Sequence, residues 1–275
     1  MTTRTMGAVS ACLVVRNEES VINRALLSLR GVVDEIVVVH DGTCDDRTLE
    51  IARMHGARIF VRPFAGFCEA HFDFAKDAAV GEWLLFVDAD EFLSEPLRDA
   101  LRLLVRSDEV DGYAFAWRTC YEDRGLRPRG GRQGGKLCLF RAEKTSFESR
   151  VHGRRTVGGA VVAVGLVLEH RPPYRLFDKD FWRAKVDRWA EVNARHLLAT
   201  GAHHSALFHL LRSPLWFTLH LCENYFLNLA FLNGLDGFRY SLLMALFFMK
   251  TELNLSRLLR EHKGQPSPTV QGGGE

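Results

Sequence analysis

Residues Trp83–Ser94, WLLFVDADEFLS, carry an apolar run straight into three acids, Asp88, Asp90 and Glu91. Unpaired carboxylates are expensive to bury, so these acids must either open to water or enclose a positive charge. In extended chain, residues two apart point to the same side. Asp88 and Asp90 would then form a two-carboxylate site at a strand end, suited to a hard divalent cation, Mg²⁺ or Mn²⁺, that neutralises a diphosphate. Two more polar clusters lie upstream: Asn17-Glu18, and Asp41 followed by Asp45-Asp46. Asp41 suits hydrogen bonds from a nucleobase or ribose, whereas Asp46 suits capping of the next helix.

The elements that would hold these residues alternate in type. Ala8–Val15, Glu35–His40, Ala57–Val61 and Trp83–Asp88 read as buried strands. Between them, Asn17 is placed to cap a helix through Val21, Ile22, Ala25, Leu26 and Leu29, and Thr48–His55 and Phe67–Ala79 also read as helical. Such alternation predicts an α/β fold, a mainly parallel sheet with helices on both faces. In such sheets ligands bind at the carboxyl ends of strands, which is where all three acidic clusters fall. Further strands are predicted over Tyr113–Tyr121, Lys136–Phe140 and Ala160–His170, with a flexible glycine-rich link over Gly125–Gly135. Beyond Pro172-Pro173 the pattern turns helical: Lys179–Gly201 as one amphipathic helix, then two or three more between Ser205 and Leu259. The tail from 264 to 275 has the composition of a disordered segment.

The 275 residues, 47% hydrophobic and 25% charged, suit a folded globular chain, and a net charge of +2 gives no global attraction to nucleic acid. Between Arg118 and Arg155 basic residues crowd together, either as an anion-facing surface or as a solvated face. The six cysteines include no CxxC pair, which argues against a zinc knuckle and for reduced thiols in a cytosolic compartment. The N-terminus lacks a signal-peptide pattern, and no apolar stretch is long enough to span a bilayer. Gly130-x-x-x-x-Gly135-Lys136 nearly spells a phosphate-binding loop, but Leu137 stands where Ser or Thr should bind Mg²⁺, and no strand-to-helix context surrounds it. His170 ends a strand, where structural and functional roles are equally open. The C-terminal run containing Trp216, Phe217, Leu219, Phe226, Leu229 and Phe231 is more apolar than a surface helix needs. A homodimer interface or packed subdomain would explain it. Aromatics beside Arg and Lys favour an amphipathic platform on a membrane surface.

Several segments together resemble the family 2 glycosyltransferases of GT-A fold, in the branch of lipopolysaccharide-core and cell-envelope sugar transferases. They are Cys12–Glu19, Val33–Ala52, Gly81–Ser94, Leu139–Arg141, Val151–Gly153, Leu168–His170 and Phe231–Ala245. The resemblance is specific in the first third and looser after Gly112. It implies a Rossmann-like GT-A catalytic domain over 1–175, with a nucleotide-sugar half (1–112) and an acceptor half (113–175), followed by a helical region over 176–263. It implies an inverting, metal-dependent transfer from a nucleotide-diphospho-sugar to a lipid-linked or envelope glycan acceptor, at the cytoplasmic face of the membrane. Val15, Asn17, Glu18 and Asp41 would line the base and ribose pocket. Asp88 would approach the ribose or metal, Asp90 would ligate the metal, and His152 would complete the metal or diphosphate site. Most of the branch carries Glu after that histidine, as the base; here Gly153 stands there. Glu91, Glu122, Asp123 and Glu148 are then the candidate bases, Glu91 foremost for its place beside the metal. The alternatives are a nucleotidyltransferase, which would show a glycine-rich basic loop after the first strand where VVRNEE stands, and a non-catalytic nucleotide-sugar-binding scaffold.

Overall fold

The computed structural model describes residues 4–121, 124–125, 135–149, 153–173, 178–201 and 204–263. Glu122, Asp123, His152, the glycine-rich link from 126 to 134 and the tail from 264 to 275 lie outside them. The first part alternates strand and helix: β1 Thr5–Val15, α1 Ile22–Leu29, β2 Glu35–Asp41, α2 Thr48–Met54, β3 Arg58–Arg62, α3 Phe72–Ala78 and β4 Gly81–Phe86. Then come β5 Glu91–Leu93, α4 Glu95–Leu104, β6 Gly112–Tyr121, β7 Arg124–Gly125, β8 Lys136–Arg141, β9 Thr145–Phe147, β10 Arg155–Val157 and β11 Val161–His170. Three long helices follow: α5 Lys179–Ala199, α6 Ala206–Cys222 and α7 Gly234–Lys263.

The main sheet runs β3-β2-β1-β4-β8-β6-β11-β5, with β7 beside β6; β9 and β10 form a separate hairpin. β1, β2, β3 and β4 are mutually parallel, β8 runs antiparallel between β4 and β6, and β11 pairs parallel with β6 and antiparallel with β5. The valine-rich strands are buried on both faces, as the central strands of a covered parallel sheet must be. Along β1, Ala11, Leu13 and Val15 face the core shared with Ile22, Leu26, Leu97 and Leu101, while Cys12 and Val14 face Phe72 and Ala75. That alternation sets the fate of Val15: its side chain is in the core, 1% exposed, and cannot line a pocket.

Four local expectations are corrected. Asn17 does not cap α1; it sits at φ +51, and Glu18 O instead accepts from the Val21 and Ile22 amides. Asp88-Ala89-Asp90 is not extended, because β4 ends at Phe86 and the Glu91 amide closes a turn on Asp88 O at 3.0 Å. The short strand β5 at Glu91–Leu93 and helix α4 at Glu95–Leu104 were not anticipated, although Ser94 before Glu95-Pro96 is a helix-start signal. The predicted helix over Phe67–Ala79 is a 3₁₀ turn at Cys68–His71 leading into α3.

α5 and α6 both pack on α7. A buried polar pin joins α6 to α7: Glu252 accepts from His209 Nδ1 at 2.6 Å and from Arg212 through Nε at 3.0 Å and a terminal nitrogen at 2.6 Å. His209 Nε2 accepts from the His204 amide, so every polar group of that imidazole is used. Breaking such a pair leaves buried charge without a partner. Glu252→Ala is therefore expected to cost about 3 kcal/mol, read as a lower midpoint in urea denaturation.

Candidate active site

The chemistry-bearing side chains meet where β1, β2 and β4 end, as the parallel topology requires. β1 leads into Arg16-Asn17-Glu18. The Asn17 amide donates to His40 Nε2 at 3.2 Å, and His40 Nδ1 lies 2.9 Å from Gly42 O. With Nε2 accepting, Nδ1 carries the proton; this buried neutral histidine ties the ends of β1 and β2 together. The Asn17 side chain exchanges hydrogen bonds with Asp45 at the exposed rim. Asp46 is not the cap of α2, which is Arg47; it stands one residue earlier and accepts from the Thr48 amide at 2.9 Å and from the Glu19 amide at 3.1 Å, tying the start of α2 to the turn after β1.

Asp41 is differently placed from the sequence expectation. One of its oxygens accepts from the Ala65 amide at 2.6 Å and His71 Nε2 at 2.9 Å, and the other from the Gly66 amide at 2.9 Å. The side chain is sealed, 3% exposed, and organises the loop after β3. Burial raises its pKa, but these donors together hold it below the usual carboxylate range. The loop presents Phe64 outward, with the Arg16 guanidinium 4.0 Å from the ring centre.

After β4 the three acids part. Lys136 Nζ lies 2.7 Å from Asp88 Oδ2 and 2.6 Å from Glu91 Oε1. Glu91 is fully enclosed and also accepts from Trp117 Nε1 at 2.6 Å and the Asp88 amide at 2.9 Å. An acceptor hydroxyl could not reach that carboxylate without displacing Lys136 and Trp117, so Glu91 is a poor place for a base. Asp88, by contrast, has 49% of its side chain exposed. Desolvation opposes its charge, yet Lys136, Arg155 and His170 together outweigh it and bring the Asp88 pKa down to about 2. Asp90 turns the other way, with Oδ2 3.0 Å from His170 Nε2. His170 stacks on Trp117 at 4.5 Å between ring centres, and the Arg171 amide donates to Asp90 O at 2.8 Å. Pairing of β5 with β11 sets Glu91 opposite His170 and thereby delivers that histidine. Beside it, Glu169 is buried in an ion pair with Arg118.

Glu18 completes the group. Burial first, then the charges of Asp90 and Asp88, raise its pKa to about 7 against the pull of Lys185. Lys185 comes from α5; burial lowers its pKa to about 8, with Asp90 and Glu18 opposing that shift, and its ammonium lies 4.6 Å from the Trp189 ring centre. Glu18, Asp88 and Asp90 thus form one negative field, with Lys136, His170 and Lys185 around it.

A sequence profile described as Glycosyl transferase family 2 matches residues 10–160, more than half of the chain, including Glu18, Asp88, Asp90 and Lys136 but not His170 or Lys185. The chain belongs to glycosyl transferase family 2. The lipopolysaccharide core biosynthesis glycosyltransferase LpsC of Rhizobium meliloti is 26% identical over 95% of this chain and 96% of its own length. An uncharacterized glycosyltransferase of Rickettsia typhi is 27% identical over 87% of this chain and 84% of its own. Among solved structures, S. aureus TarS residues 1–349 align over 94% of this chain and 93% of that chain, at 18% identity and TM-score 0.46. Glucosyl-3-phosphoglycerate synthase from Mycobacterium tuberculosis, in complex with Mn²⁺, UDP and glucosyl-3-phosphoglycerate, aligns over 72% of this chain and 82% of that chain at 20% identity and TM-score 0.48. Family membership excludes the nucleotidyltransferase alternative.

Within this glycosyltransferase, sequence reasoning found Glu18, Asp88 and Asp90 and missed how they are held. In the sequence Lys136 reads as part of a near-phosphate loop and of the basic Arg118–Arg155 cluster, not as a partner of the acids, and His40, His71, Trp117 and Lys185 are not singled out for the site. The helical period of α5 carries Trp182, Lys185 and Trp189 on one face, the one signal for Lys185 that the sequence offers.

Glu18 generates a pH prediction. Its folded pKa stands above the ordinary 4.5, so the folded chain holds an extra proton between there and about 7. Folding stability contributed by Glu18 therefore falls as pH rises through that window, and the cost is complete above it. Glu18→Gln is expected to melt above the parent at about pH 8, with the difference vanishing below about pH 4.5, as followed by thermal denaturation across that range.

Proposed function

We propose that this glycosyltransferase moves a sugar from a nucleotide-diphospho-sugar to a lipid-linked or cell-envelope glycan acceptor, with inversion and with a divalent cation. The convergence of Glu18, Asp88, Asp90 and His170 at the carboxyl edge of β1 and β4 carries this reading. The similarity to LpsC along nearly its full length supports the envelope acceptor. Residues 1–175 form the catalytic part in this reading, and 176–263 the helical part.

A divalent ion fits Asp90 and His170. Their facing oxygen and nitrogen are 3.0 Å apart, close to the edge of an octahedron with ligands at about 2.1 Å. Both side chains are partly open, at 22% and 13%. Among the described residues no third His, Cys, Asp or Glu completes a protein cage, which suits an ion whose remaining positions go to water and phosphate oxygens. The ion, when bound, would stabilise negative charge on the departing diphosphate.

The chain's own groups divide the rest of the work. Glu18 and the half-open Asp88 accept hydrogen bonds from donor hydroxyls, and Lys185 offsets the charge of the bound diphosphate from the α5 side. The acceptor oxygen attacks the anomeric carbon as the bond to the diphosphate breaks, and the hydroxyl proton passes to a base. Of the carboxylates considered for that base, Glu148 is exposed at the end of the β9–β10 hairpin and Glu91 is sealed.

The membrane half of the reading rests on α6. Leu207, Leu211, Leu215 and Leu219 recur every fourth residue on one exposed stripe, continued around the bend by Phe226, Leu227, Leu229, Phe231 and Leu232. No described helix is long and apolar enough to cross a membrane, so this face suits lying in the interfacial plane. A contiguous apolar face of this kind marks a contact site.

Two experiments test these statements. Thermal shift with UDP-, GDP-, dTDP- and CMP-sugars, with and without Mn²⁺ or Mg²⁺, is expected to give a metal-dependent gain with one nucleotide class, lost in Asp90→Asn. Absence of any gain from folded protein would refute the donor reading. Liposome flotation is expected to recover the parent chain, with recovery at least ~10-fold lower for Leu211→Glu/Leu215→Glu, since each buried leucine contributes about 2 kcal/mol. A parent that ignores lipid and dimerises, becoming monomeric in that variant, would instead make the face a homodimer interface.

A further inference from the structure

The Gly135-Lys136 step resembled a phosphate loop, yet the fold uses it for something else. Gly135 sits at φ +98, and a Cβ there would meet Phe115 O at 2.3 Å. Only glycine passes this point, where β8 enters between β4 and β6. The next residue, Lys136, is thereby driven between the Asp88 and Glu91 carboxylates, 2.7 and 2.6 Å from its ammonium. Its side chain is 20% exposed, and Glu91 beneath it is at 0%. An ammonium bridging two acidic oxygens at a strand end occupies the kind of place that a hard cation takes.

We propose that Lys136 is a positioning residue that stands as a built-in cation between Asp88 and Glu91, where a divalent ion would otherwise be needed to hold the turn. It fixes Asp88 open toward the donor and Glu91 closed beneath it, and leaves Asp90 with His170 as the exchangeable metal position. The donor-facing task of Asp88 and the Asp90–His170 metal position rest on the donor reading above; the bridging of Asp88 and Glu91 by Lys136 does not.

Removing the charge should convert the place into a metal site. Lys136→Met, and Lys136→Gln as a closer mimic that keeps a donor for Glu91, are expected to lose about 5–10 °C of melting temperature in EDTA. Millimolar Mn²⁺ is expected to restore most of that loss, and Mn²⁺ titration by electron paramagnetic resonance is expected to show one bound ion more than the parent. Both effects should persist with Asp90→Asn added and disappear when Glu91→Gln is added; Lys136→Arg should show neither. If Mn²⁺ neither restores stability nor binds additionally, or if neither variant folds even with Mn²⁺, the proposal is overturned. If the parent binds no Mn²⁺ while Lys136→Met gains it, the Asp90–His170 metal reading fails and the role of Lys136 stands.

Discussion

Charge compensation at the end of β4 is the constraint on which the site depends. An apolar strand delivers Asp88, Asp90 and Glu91 into the place where core gives way to water, and Glu91 is entirely enclosed there. Such a carboxylate persists only with good partners. Lys136, Trp117 and the Asp88 amide supply them, and each comes from a different part of the chain. The insertion of β8 antiparallel beside β4 brings Lys136, β6 brings Trp117, and the short strand β5 brings Glu91 opposite His170. The irregular second half of the sheet is thus what makes the acidic end of the regular first half tenable.

The same logic divides the acids by task. Groups that are fully satisfied inside, such as Asp41 with His71 and two amides, or Glu169 with Arg118, hold loops and strand ends. Groups left partly open, Asp88, Asp90 and Glu18, keep acceptor capacity for a ligand. The raised pKa of Glu18 and the lowered pKa of Lys185 mark the mouth as a place where charges of both signs are partly desolvated, a pattern concentrated at functional sites. α5 brings Lys185 to this mouth, while α6 turns an apolar stripe outward.

Much of this was legible in the sequence. Valine-rich runs separated by helical periods gave a parallel sheet, and strand polarity then put Glu18, Asp88 and Asp90 at one edge. Local hydrogen-bonding choices were less legible. Asn17 has the chemistry of a cap but is spent on Asp45, because the left-handed turn after β1 points it there. Val15 was read into the pocket by analogy, while strand alternation sends it to the core.

By itself the sequence determined the alternation of β1 to β4 with their helices and which acids follow those strands, because periodicity and strand-end polarity are local properties of the chain. Tertiary structure alone decided which acids are open and which are sealed. Lys136 and His170 lie 48 and 80 residues from the acids Asp88 and Asp90 that they hold, and Trp117 lies 26 residues from Glu91. Partners so distant meet only through strand order and register, and a carboxylate's role follows from the cations and donors around it rather than from its own neighbours in the chain.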